Sequence, residues 1–158
     1  MAVFLIVAFA PGYSGSPEGP AFSLHPSDRP GFGQEGAGSY DLSFVQGRIN
    51  IGANGLALYF ADNSQWSQSR PLRVQIWKSD GTIAWIHSGY KNITKRESTV
   101  VAEGSVTTPG GSEIVFVDRW TSSGPGISLR RRVEVKKAGS GDQGFLSAFE
   151  FETTGASR

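Results

Sequence analysis

Between Glu113 and Lys136, apolar residues recur at every second position on both sides of a turn, a double alternation that constrains the fold more than any other feature of the chain. The first run places Ile114, Phe116, Asp118 and Trp120 on one stripe; the second places Ile127, Leu129, Arg131, Val133 and Val135. Successive side chains of a strand point to opposite faces, so each run has one face to bury. Folding the runs together about the turn Thr121–Gly126 sets Trp120 opposite Leu129, Asp118 opposite Arg131, Phe116 opposite Val133 and Ile114 opposite Val135. A slip of one residue would turn the whole set toward water, which predicts an antiparallel hairpin in this one register.

The same register sets Asp118 against Arg131 on an otherwise apolar face, where either charge alone is expensive to desolvate. The pair is expected to be a structural ion pair, because the guanidinium fork matches a carboxylate at two points. A polar feature at a ligand cleft or domain seam is the alternative. Alternation sends Arg130 and Arg132 to the other face, so the triple arginine is not a nucleic-acid patch.

Further β-type runs lie at Tyr40–Val45, Arg48–Ile51, Leu56–Phe60, Leu72–Lys78, Thr82–His87, Thr99–Thr107 and Phe145–Thr153. The 21 Gly and 8 Pro oppose long helices, and no segment reads as one. Asn54-Gly55 and Asp80-Gly81 are expected to supply the positive φ of tight hairpins; Pro109-Gly110-Gly111 and Gly124-Pro125-Gly126 mark further reversals. The expected fold is an all-β antiparallel β-sandwich of nine or ten short strands, formed by residues 40–158 as a single domain. Residues 1–39, an apolar run followed by a Gly/Pro-rich loop, precede it.

The opening run, MAVFLIVAFA, lacks the Lys or Arg that begins a secretory signal, and Pro11 follows the Ala8-Phe9-Ala10 site, so a first β-strand or a misassigned gene start is favoured. It falls well short of the roughly 20 apolar residues that span a bilayer, so a soluble protein without a membrane partner is expected. Its compartment is left open, with secretion or a periplasmic location compatible.

Composition removes several chemistries. Fifteen Lys and Arg against 14 Asp and Glu leave a net charge of +1, too little to draw the chain onto nucleic acid. Without cysteine, and with His25 and His87 as its two histidines, it offers no thiolate or multi-histidine metal site, and neither metal nor cofactor is expected. The GYSGS at Gly12–Ser16 is not a Gly-x-Ser-x-Gly elbow, and Gly31-Phe32-Gly33 and Gly36-Ala37-Gly38 lack the Gly-Lys-Ser/Thr of a phosphate loop. The carboxylates are scattered and form no acid/base signature. Asn92-Ile93-Thr94 matches a glycosylation sequon, which matters only in a secreted eukaryotic protein.

Aromatic residues are more informative. The C–H faces of sugars pack on indole rings, so a β-sandwich with exposed Trp can bind carbohydrate. Trp77 and Trp120 lie in apolar stripes and are expected inside, whereas Trp66, in the polar stretch Asp62–Arg70, is expected to be exposed. Trp85 lies near Asp80-Gly81 and Tyr90, and His87 is placed to polarise a ligand hydroxyl. The candidate carbohydrate-binding set is therefore Trp66, Trp85, Tyr90 and His87.

The stretch Ser98–Thr153, with STVVAEGSVTTPGGSEIVFVDRW, ISLRRRVEV and GFLSAFEFET, resembles the N-terminal β-sandwich region of bacterial six-hairpin glycosidases, rhamnosidase-like enzymes with an (α/α)6 barrel. GRINIGANGLALYF and VQIWKSDGTIAWIHSGY fit the same pattern more loosely. The resemblance implies a supporting sandwich beside a helical barrel that contributes the catalytic carboxylates, so none of those residues is carried onto this chain. It implies a barrel domain or subunit as partner, and a chain that is a gene fragment or an excised domain. Three functions follow as expectations: a non-catalytic scaffold of a glycoside hydrolase, a stand-alone carbohydrate-binding module, or an enzyme using Asp and Glu residues on its sheet.

Overall fold

Every second residue is buried along the strands that pair at the centre of the 99–123 hairpin. Thr99–Thr107 hides Val100, Ala102, Gly104 and Val106, and Glu113–Ser123 hides Ile114, Phe116, Asp118 and Trp120. These strands belong to a computed structural model that describes residues 7–9, 38–124 and 126–154, with side chains for 38–124 and 126–152. The described residues form thirteen strands and no helix: β1 (Val7–Phe9), β2 (Ser39–Phe44), β3 (Gly47–Gly52), β4 (Gly55–Phe60), β5 (Gln65–Ser69), β6 (Leu72–Lys78), β7 (Ile83–Ser88), β8 (Asn92–Arg96), β9 (Thr99–Thr107), β10 (Glu113–Ser123), β11 (Gly126–Lys137), β12 (Asp142–Ala148) and β13 (Glu152–Thr154).

They pair antiparallel in three sheets. The hairpin sheet has the order β11-β10-β9-β8, the tryptophan sheet β1-β12-β6-β7, and the meander sheet β13-β5-β4-β3-β2. The class is all-β and antiparallel, a β-sandwich in which inward faces of all three sheets meet. Ile49, Ile51 and Leu56 enter the core from the meander sheet, Leu72, Val74 and Ile76 from the tryptophan sheet, and Val100, Ile114 and Phe116 from the hairpin sheet.

The β10–β11 register pairs Trp120 with Leu129, Asp118 with Arg131, Phe116 with Val133 and Ile114 with Val135, as alternation predicts. The reversal is tighter than the expected turn at 121–126: Ser123 already pairs with Gly126, and Gly124 takes φ +46°. Extended pairing keeps backbone groups satisfied almost to the tip.

Four local expectations differ from the structure. Gln65–Ser69 and Asn92–Arg96 are strands without an apolar alternation strong enough to announce them; backbone pairing with β4 and β9 holds them extended. The run expected at Phe145–Thr153 divides into β12 and β13, which pair with different sheets, so the chain crosses from the tryptophan sheet to the meander sheet. At Asn54-Gly55 the hairpin forms without positive φ, with Gly52 paired to Gly55, whereas Gly81 takes φ +81°. The Gly/Pro-rich loop lies outside the described residues apart from its last two; within the initial run, the backbone of Val7–Phe9 pairs with Phe145–Ser147.

Candidate functional site

In β6, Leu72, Val74 and Ile76 point inward, which sends Arg73, Gln75 and Trp77 to the outer face of the tryptophan sheet. Across the ladder Trp77 pairs with Ile83, Gln75 with Trp85 and Arg73 with His87, so β7 adds Ile83, Trp85 and His87 to that face. On the other side β12 sets Gly144 beside Trp77, Leu146 beside Gln75 and Ala148 beside Arg73. Trp77, Ile83 and Trp85 remain 37%, 55% and 43% exposed, an apolar strip that shares its face with the polar Arg73, Gln75 and His87. Trp77 and Trp85 are diagonal neighbours across the two strands, a separation that long aromatic side chains span. The Arg73 guanidinium lies 4.5 Å from the centre of the Trp85 ring and forms an ion pair with Glu150.

The four residues expected to bind carbohydrate do not come together. Trp85 and His87 share the exposed outer face. Trp66 is half-buried in β5, its ring 5.2 Å from that of Phe60, because the polar stretch around it is a paired strand and not an open loop. Tyr90 is buried in the core at 4% exposure. Trp77, expected inside, is exposed, while Trp120 is buried as expected. The parity of Leu72, Val74 and Ile76 already places Trp77 on the other face; it is the signal that identifies this residue.

Tyr90 belongs to a second polar constellation, at the seam between the hairpin and tryptophan sheets. Arg131 Nε donates to Asp118 Oδ1 at 2.7 Å and its Nη2 to Asp118 Oδ2 at 2.5 Å, a two-point ion pair with side-chain exposures of 2% and 0%. Its Nη1 donates to Ser147 Oγ at 2.7 Å and its Nη2 to the Pro71 carbonyl at 3.2 Å. The guanidinium lies 3.9 Å from the ring centre of Phe149 and 5.3 Å from that of Phe116. The Tyr90 hydroxyl donates to Asp118 Oδ2. Closed in by rings and holding its own counter-charge, this site is built to lock sheets together.

Burial, reinforced by the neighbouring Asp118 carboxylate, raises the Tyr90 phenol well above its ordinary value of 10.0. The protonated form is favoured in the fold, so the stabilisation is complete below pH 10 and is lost as pH rises from there toward the folded value. Urea unfolding of wild type and Tyr90→Phe is expected to show a stability gap that narrows above pH 10, by up to about 1.4 kcal/mol per pH unit. A constant gap across that range would contradict the linkage.

A third polar group closes one end of the sandwich. Asp142 Oδ2 accepts from Thr108 Oγ1, from Ser112 Oγ at 2.5 Å and from Ser112 N at 3.2 Å, tying the β9–β10 turn to the start of β12. Partial burial tends to raise the Asp142 carboxyl, but the hydrogen bonds from Ser112 and Thr108 outweigh it and hold the group below its ordinary 3.8. Beside it opens a depression of about 250 Å³ walled by Ile76, Ile114, Val135 and Phe145. Among the described residues no group of three or more His, Asp or Glu side chains is arranged to hold a metal ion, and no helix is long and apolar enough to cross a membrane. Compared with known proteins, the chain matches no protein-family model, no curated protein and no solved structure.

Proposed function

We propose that this protein is a non-catalytic β-sandwich of a carbohydrate-active system and that it binds glycan on the outer face of the tryptophan sheet. The observation that carries the reading is the pair of exposed indoles, Trp77 and Trp85, set diagonally on two adjacent rigid strands. Sugar rings present C–H faces that stack on indole, and their hydroxyls need nearby hydrogen-bonding groups, which Gln75 and His87 provide on the same face. A site carried by paired strands is ordered before the ligand arrives, which limits the entropy lost on binding.

Titration of the protein with soluble oligosaccharides, followed by tryptophan fluorescence and calorimetry, tests this. Trp85→Ala and Trp77→Ala are each expected to weaken binding about tenfold with the fold intact, the loss of one stacking contact. Trp66→Phe, half-buried away from this face, is expected to leave affinity unchanged. A flat titration across neutral and acidic glycans would remove the proposal.

A second reading, the scaffold beside a helical catalytic barrel implied by the six-hairpin glycosidase resemblance, is favoured by the apolar depression at the sandwich end, where Val135 is 47% exposed. Reading the gene beyond the Arg158 codon tests it: an in-frame helical barrel supports the scaffold, and unrelated sequence counts against it.

A further inference from the structure

Resting on the glycan-binding reading above, we infer that the tryptophan face selects uncharged glycans and disfavours acidic ones. The arginine at one end of this face is already neutralised by the protein. The Arg73 guanidinium lies 4.5 Å from the centre of the Trp85 ring and is ion-paired with Glu150, whose side chain is 53% exposed against 25% for Arg73. The more accessible charge of the pair is therefore the negative one. Lys78, the next cation along β6, has the opposite parity to Trp77 and Arg73.

A neutral sugar stacking on Trp77 and Trp85 leaves the ion pair undisturbed. A uronate or sulfated sugar brought to Trp85 meets the Glu150 carboxylate before it can use the Arg73 guanidinium. It must either displace Glu150 or sit beside a like charge, and both are unfavourable. An arginine that lies on an aromatic ring and has its own carboxylate acts here as part of the stacking surface and not as an anion receptor. On the β12 side the face continues with Gly144, Leu146 and Ala148, in register with Trp77, Gln75 and Arg73, none of them charged.

The test titrates the full chain at pH 8 with a neutral gluco-oligosaccharide and with an oligogalacturonate of the same length. The neutral oligomer is expected to bind with an affinity that added sodium chloride changes by less than about twofold, and the acidic oligomer about tenfold more weakly at low salt. Glu150→Gln, which frees Arg73, is expected to strengthen acidic-oligomer binding about fivefold and to make it salt-sensitive. Acidic binding as tight as neutral binding in the wild type, and lost in Trp85→Ala, would overturn the selectivity while leaving the glycan face standing. Binding of neither oligomer would overturn the glycan reading itself, and the selectivity with it.

Discussion

Arg131→Ala is expected to destabilise the protein by about 3 to 5 kcal/mol, read as a lower urea midpoint at unchanged slope. Truncation leaves the Asp118 carboxylate at 0% exposure with the Tyr90 hydroxyl but no counter-charge. It also strips Ser147 Oγ and the Pro71 carbonyl of a donor and removes the cation between Phe116 and Phe149. Each partner comes from a different part of the chain, so the loss is felt at the seam between two sheets and not within one hairpin. Removing both charges in Asp118→Ala/Arg131→Ala is expected to cost less than the sum of the single changes, because no uncompensated charge is left behind. A single-variant loss within a few tenths of a kcal/mol would show that the pair is solvated.

Gly139→Ala is expected to cost about 3 kcal/mol by overpacking. A β-carbon there would lie 2.1 Å from the Gly110 carbonyl oxygen and 2.5 Å from Ser112 N, both backbone atoms. Neither has an easy way to retreat. The Gly139 amide donates to Ser112 Oγ at 2.9 Å, and Ser112 is fastened through its own amide and hydroxyl to Asp142. The two turns interlock through atoms that define the chain path, so relief requires moving one whole turn off the other. Gly126→Ala is the matched control: its β-carbon would meet nothing within 4 Å, and the expected change lies within about 0.5 kcal/mol. Equal midpoints for the two variants in urea would show that the interlock yields.

Much of the hairpin sheet was legible in advance. Asp118 and Arg131 fall opposite one another because Ile114, Phe116 and Trp120 on one strand and Leu129 and Val133 on the other admit one register. The tryptophans were legible only in part. Trp120 shares the parity of its buried neighbours, whereas Trp77 lies in an apolar run but on the face opposite Leu72, Val74 and Ile76. Trp66 has polar neighbours in the chain, and its partial burial comes from contacts such as that with Phe60 on a neighbouring strand. Tyr90, next to a strand end, carries no local mark of its place beside Asp118, 28 residues away.

What the sequence alone determined is therefore the extended conformation, the facing of side chains along each strand and the pairing of one long hairpin, since a two-residue period is a property of the strand itself. Tertiary structure decided the rest. It brought Tyr90, Pro71 and Ser147 to one ion pair, sent β12 and β13 to different sheets, and left Trp77, Ile83 and Trp85 facing water. Strand periodicity states that a residue lies on one of two faces; which face is covered depends on contacts between segments far apart in the chain, and those exist only once the sheets have packed.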